Sequence, residues 1–216
     1  GSDGTPLYGS VINYEDKESG TNYPGTLLLN VGENAPKRVS NQDPLKAKDG
    51  AERFKIWSSG STVFVNYLDY SDKVGQPKVR IYSGVQRIVF DGGIGNDYLD
   101  ASGLSGIPLE FRGGDGNDTV ILGSGDGSKM TTLDGGDGND TITVTGGGIV
   151  TIFGGLGNDS ITGGTGTVII DAGGGDDSVW TSAGSTSTVV FGSQFGFDSV
   201  TLSPDAVQNL LDMAGV

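Results

Sequence analysis

Five segments between Gly92 and Val179 repeat one arrangement of oxygen-bearing groups. They are Gly92-Gly93-Ile94-Gly95-Asn96-Asp97, Gly113-Gly114-Asp115-Gly116-Asn117-Asp118, Gly135-Gly136-Asp137-Gly138-Asn139-Asp140, Gly154-Gly155-Leu156-Gly157-Asn158-Asp159 and Ala172-Gly173-Gly174-Gly175-Asp176-Asp177. Their closing aspartates lie 21, 22, 19 and 18 residues apart. Glycine tolerates positive φ, so such a turn can aim several carbonyl oxygens at one place, and its last residue swings in a carboxylate. Six to eight hard oxygens at about 2.3–2.6 Å are what a calcium ion requires. One turn cannot fill that shell, but two turns stacked about 4.8 Å apart can share an ion. Five turns imply about four such ions, and Asp198, closing the degenerate sixth turn Ser193-Gln194-Phe195-Gly196-Phe197-Asp198, would bring the number to about five. Without cations, a column of carboxylates at that spacing repels itself.

The totals agree with this chemistry and exclude others. The chain has 216 residues, 40 of them Gly, with no Cys and no His. Disulfides, thiolate catalysis and imidazole acid–base chemistry are therefore absent from it. The net charge is −14, and no Lys or Arg follows Lys129, although ten aspartates do. Acids that recur at fixed turn positions point to cation coordination, and the charge excludes nucleic acid and anionic membranes as partners. No apolar run approaches the ~20 residues of a membrane-spanning helix, so membrane insertion is not expected. The opening Gly1-Ser2 reads as an expression remnant, and the chain as a piece of something larger.

The elements that must position these turns follow from periodicity. Two residues before each turn stand Phe90, Phe111, Leu133, Ile152, Ile170 and Phe191. Four before stand Ile88, Leu109, Thr131, Val150, Val168 and Val189, and two after each closing aspartate Leu99, Val120, Ile142, Ile161, Val179 and Val200. Three columns, apolar except at Thr131, predict two strands per coil with alternate residues inward. The glycine-rich turns on the far side, such as Gly146-Gly147-Gly148, lack a closing aspartate and are assigned no metal. The predicted class is all-β: a right-handed parallel β-roll or β-solenoid with one calcium turn per coil of about 18–22 residues.

Three regions are expected. Residues 1–87 carry short alternating runs, with a long polar loop over residues 33–50, and read as a β-rich N-terminal cap. Residues 88–202 form the solenoid. Residues 203–216 are expected to close it with a short capping helix: Ser203 is the N-cap, Pro204 the first helical residue, and Val207, Leu210, Leu211 and Ala214 share one face.

The glycine–aspartate pattern resembles the nonapeptide of the RTX (repeats-in-toxin), or hemolysin-type calcium-binding, proteins over roughly residues 90–200. The resemblance implies a calcium ion between successive turns. The second and fourth carbonyls and the aspartate would come from one turn, the first and third carbonyls and the aspartate from the next. It also implies secretion through a type I channel and folding in extracellular calcium. This chain departs from the common nine-residue roll, which carries calcium turns on both sides. One calcium turn per coil resembles the one-sided solenoids of large bacterial surface adhesins. Ice-binding members place Thr at the third turn position, where this chain has Ile94, Asp115, Asp137, Leu156 and Gly174, so ice binding is disfavoured.

The expected function is a calcium-folded structural or adhesive module of a secreted or cell-surface bacterial protein, extracellular, monomeric as a fragment, and not an enzyme. A cell-surface or polysaccharide ligand would be its partner besides calcium. The alternative is a module of a calcium-dependent polysaccharide lyase or epimerase. Such an enzyme needs clustered bases, and the repeats offer only Arg112 and Lys129.

Overall fold

The computed structural model describes residues 9–15, 22–29, 50–68, 79–125, 127–190, 196–204 and 208–212. The strands, in chain order, are β1 Gly9–Glu15, β2 Asn22–Leu29, β3 Arg53–Ser59, β4 Thr62–Tyr67, β5 Val79–Tyr82, β6 Arg87–Ile94, β7 Tyr98–Gly103, β8 Leu109–Asp115 and β9 Thr119–Leu122. They continue with β10 Met130–Asp137, β11 Thr141–Val144, β12 Ile149–Leu156, β13 Ser160–Thr162, β14 Thr167–Gly174, β15 Ser178–Trp180, β16 Thr186–Val190, β17 Ser199–Thr201 and β18 Gln208–Asp212. Among the described residues there is no helix, hence none long and apolar enough to cross a membrane.

From β6 onward the chain alternates between two sheets, and successive strands of each sheet pair in parallel. The protein is an all-β solenoid. The turn between β6 and β7 is three residues long (95–97), and the equivalent turns at 116–118, 138–140, 157–159 and 175–177 match it. The opposite connections vary from four to seven residues. Coil length is thus absorbed on one wall, and the aspartate wall stays in register.

The inward columns pack as the alternation predicts. Phe90, Phe111, Leu133, Ile152 and Ile170 are cross-strand partners in series, as are Leu99, Val120, Ile142, Ile161, Val179 and Val200. Phe90 and Phe111 stack with centroids 5.3 Å apart, and Phe54 meets Phe90 edge-on at 5.9 Å. Thr131, the polar exception, is fully buried, and its hydroxyl accepts the Leu109 amide at 3.3 Å.

Two expectations are corrected. The helix placed over the C-terminal tail is not there: Gln208–Asp212 forms β18, pairing in parallel with β16 from Thr186↔Gln208 to Val190↔Asp212. A short isolated helix is marginal, whereas the last coil offers a complete edge of unpaired amides and carbonyls. Part of the expected helix, residues 205–207 and 213–216, lies outside the described residues. The sixth coil is also two residues out of the expected register. Val189, not Phe191, continues the Ile170 column, and Ser187 takes the place beside Val168. Phe191 and the expected loop over residues 33–49 lie outside the described residues.

The N-terminal strands join the same two sheets. β2 runs parallel to β6 (Leu27↔Ile88) and β3 parallel to β7 (Phe54↔Leu99), so together they make a coil ahead of the first glycine turn. β1 adds antiparallel to β2, while β4 adds antiparallel to β3 and β5 antiparallel to β4 at the edge of the other sheet.

Phe111 is fully buried against Phe90. Phe111→Ala is expected to lower stability by about 3–5 kcal/mol, read as a shift in the urea midpoint of calcium-saturated protein. An unchanged midpoint would contradict this packing.

Candidate metal column

Each closing carboxylate spends one oxygen on the preceding coil. The Asp97 amide donates to Asp118 Oδ1 at 2.6 Å, Asp118 to Asp140 at 2.7 Å, Asp140 to Asp159 and Asp159 to Asp177 at 2.8 Å, and Asp177 to Asp198 at 3.0 Å. The second oxygen has no such use. Oδ2 of Asp118, Asp140, Asp159, Asp177 and Asp198 is buried without a hydrogen-bond partner among the described residues. A buried carboxylate oxygen left unpaired is costly, and a repeated one marks a position where something else completes it.

The first turn position shows where. A Cβ built on Gly92, Gly113 or Gly135 would fall on Oδ2 of its own turn's aspartate and on the carbonyl oxygen of the next coil's first glycine. At Gly154 it would fall on Asp159 Oδ2 and the Ala172 carbonyl. A carboxylate oxygen and a carbonyl oxygen from adjacent coils therefore flank one small space, kept open by the missing side chain. The second and fourth glycines serve the stacking: Gly114 and Gly116 have φ of 103° and 131°, and a Cβ on either would strike the carbonyl of Gly93 or Gly95 one coil earlier.

The third-position residues Ile94, Asp115, Asp137, Leu156 and Gly174 stand in register along the sheet edge, with Ile94 and Leu156 exposed. The carbonyls of Asp115, Asp137, Leu156 and Gly174 each accept the fourth-position amide of the preceding coil at 2.7 Å, which leaves a lone pair on each. The fifth position builds a second ladder. Oδ1 of Asn96, Asn117, Asn139 and Asn158 accepts the next coil's fifth-position amide at 2.7–2.9 Å, ending with Asp176 Oδ1 and the Phe197 amide. Asparagine there is a stacking residue.

The donor set fits a hard cation. No three carboxylates converge among the described residues, so neighbouring aspartates supply at most two per gap and carbonyls must supply the rest. That oxygen-only mixture is what calcium accepts in its tolerant geometry. Burial pushes the carboxyls of Asp118 and Asp140 up to about 6 and that of Asp159 to about 7, against the opposing pull of a backbone amide donor. Burial raises Asp177 as well.

Sequence reasoning missed one member of the column. Glu52 is 2% exposed, its amide donates to Asp97 Oδ1 at 2.6 Å, and its carbonyl accepts the Tyr98 amide at 2.7 Å. These bonds copy those between Asp97 and the following coil, where the Thr119 amide donates to the Asp97 carbonyl at 2.8 Å. Glu52 thus occupies the place of a closing aspartate, and Asp97 is not the start of the series. The signal was present in Asp49-Gly50-Ala51-Glu52, which repeats Asp115-Gly116-Asn117-Asp118 with Ala for Asn and Glu for Asp. The coil is fastened by Lys55 Nζ on Asp100 Oδ2 at 2.7 Å and by Arg53 over the Tyr98 ring.

Fold and site together define a parallel β-solenoid with a one-sided column of glycine–aspartate turns built to hold hard cations. The family profile of the RTX calcium-binding nonapeptide repeat matches in four copies, over residues 110–128, 132–148 and 153–186. These residues carry RTX calcium-binding repeats, set here in a β-solenoid. The turn closed by Asp97 and the one closed by Glu52 lie outside the matched residues and share their stacking bonds. Comparison with curated proteins and with solved structures found no match.

The raised carboxyls set a pH dependence for the calcium-free protein. A carboxyl whose folded pKa lies above its unfolded value of about 3.9 favours the folded state when protonated. That contribution is complete below about 4 and is lost as pH rises through about 6 for Asp118 and Asp140 and about 7 for Asp159. Calcium-stripped protein is therefore expected to melt at a higher temperature at pH 5 than at pH 8, followed by circular dichroism. A higher melting temperature at pH 8 would contradict the burial of these groups.

Proposed function

We propose that this chain is a calcium-folded structural or adhesive module of a secreted or cell-surface bacterial protein. An ion lies in each gap between successive glycine turns. The carboxylates of Asp97, Asp118, Asp140, Asp159 and Asp177 line these gaps, with backbone oxygens of the first four positions of each turn. The observation that carries this reading is the repeated buried Oδ2 beside a carbonyl of the next coil. Calcium supplies positive charge and hard coordination in each gap. The protein supplies spacing, desolvation and the amide that holds Oδ1.

The role is structural because the acids are committed to the stack. With free calcium at ten times a site's dissociation constant, each ion adds about 1.4 kcal/mol to folding, so a few together convert a marginal stack into a firm one. Such a chain stays expanded where calcium is scarce and folds where it is abundant, which suits export before folding and work outside the cell. In this reading residues 1–87 protect the first edge of the solenoid, and β18 covers part of the last.

Action on acidic polysaccharide has less support. Arg112, one of the two bases in the repeats, is ion-paired with Glu110, and Glu110 also pairs with Arg87. Among the described residues, the repeat strands therefore present no pair of unengaged clustered bases for proton abstraction.

Two measurements test the proposal. Adding calcium to stripped protein at pH 8 is expected to produce strand-type circular dichroism, and the same spectrum in excess chelator would overturn it. The double variant Asp118→Asn/Asp140→Asn is expected to bind fewer ions in equilibrium dialysis and to melt at a lower temperature in calcium. Unchanged values would mean that these turns are only turns.

A further inference from the structure

The six turns from Gly92 onward are not equivalent, and the difference lies at their C-terminal end. In the first four, the first position is glycine, and the missing methyl is what leaves room for Oδ2 and the next coil's carbonyl to meet. In the fifth, that position is Ala172, buried at 2% exposure, so a methyl group stands at the position where, in the other turns, Oδ2 and the next coil's carbonyl oxygen converge.

The sixth turn differs independently. From the inward residue to the closing acid the chain takes seven residues in each of the five glycine–aspartate coils, as from Phe111 to Asp118 or from Ile170 to Asp177. In the sixth it takes nine, from Val189 to Asp198. Gly95, Gly116, Gly138, Gly157 and Gly175 all have φ of 120–138°, whereas Gly196, their counterpart, is not in the left-handed region. Asp198 as a residue is partly exposed where Asp97, Asp118, Asp140, Asp159 and Asp177 are buried. Its Oδ2 is buried without a hydrogen-bond partner, like those of Asp118, Asp140, Asp159 and Asp177, but it closes the last turn, and among the described residues no following coil brings a carbonyl to it. Its bond to the Asp177 amide is also the longest of the column.

We propose that the calcium column closes at Asp177. The gap between Asp177 and Asp198 does not hold an ion like those before it, and Ala172 is the residue that ends the series. Asp198 then acts by hydrogen-bonding the Asp177 amide, which an asparagine side chain can do equally well. This rests on the calcium reading above and deepens it by assigning which aspartates hold ions.

Ion counting by equilibrium dialysis, alongside calcium-dependent melting, separates the possibilities. Asp198→Asn is expected to keep the full wild-type number of ions and the full calcium-induced rise in melting temperature. Asp159→Asn is expected to lose at least one ion and part of that rise. Gly154→Ala, which places the Ala172 methyl one coil earlier, is expected to lose one ion. Loss of an ion in Asp198→Asn, or a full count in Gly154→Ala, would overturn the closure. If the methyl prevents Gly154→Ala from folding, Asp198→Asn decides alone. Wild-type protein that binds no calcium would instead overturn the reading on which the closure rests.

Discussion

The whole structure depends on keeping carboxylates buried in a single file. Aspartates one coil apart along a parallel sheet are about 4.8 Å apart, and no arrangement of the backbone can relax that distance. Each carboxylate is tied on one side to an amide of the preceding coil, so it cannot swing out to water without breaking the stack. Repulsion between neighbours is therefore built into the fold, and an external cation is the remedy that its oxygens accept. Everything else serves to hold that file straight. The second and fourth glycines let adjacent turns nest, the asparagine ladder locks their outer rims, and the aromatic and aliphatic columns fix the register from inside.

The two walls of the coil divide the labour. The turn on the aspartate side is of constant length from Gly95 to Asp177, and over those coils the opposite side takes up the variation in coil length. The protein resembles a zip whose teeth are machined to one pitch while its tape is cut loosely. Hydrophobic burial alone would tolerate sliding, because a strand shifted by two residues still puts apolar side chains inward. The turn bonds oppose that freedom: where the sixth coil shifts by two, its turn is two residues longer, and only so does the Asp177 amide still meet Asp198 Oδ1.

Much of this was legible in the chain itself. The five glycine–aspartate turns carry their chemistry in their composition, and the apolar columns follow from simple alternation. What escaped sequence reading has physical causes. A two-residue lengthening of the sixth turn preserves the inward–outward pattern, so Val189 and Phe191 are equally plausible members of the Ile170 column until pairing is seen. The helical signature of the tail is a local preference, and it lost to the parallel edge of β16, a partner that no local pattern announces. Glu52 was hidden because it keeps only the end of the motif. The identity of its turn lies in the bonds it makes to Asp97 and Tyr98 rather than in its side chains.

The constant turn and the variable far wall have a consequence for how such a chain changes over generations. A gene segment encoding one coil can be duplicated or deleted without disturbing the pitch, because every coil presents the same rim to its neighbours. Slips of a few codons within the far-side connections are equally harmless to the aspartate file. Length is therefore a free variable of this architecture, adjustable in steps of about 4.8 Å per coil. Only the coils at the two ends, which must differ from the rest, are fixed in number.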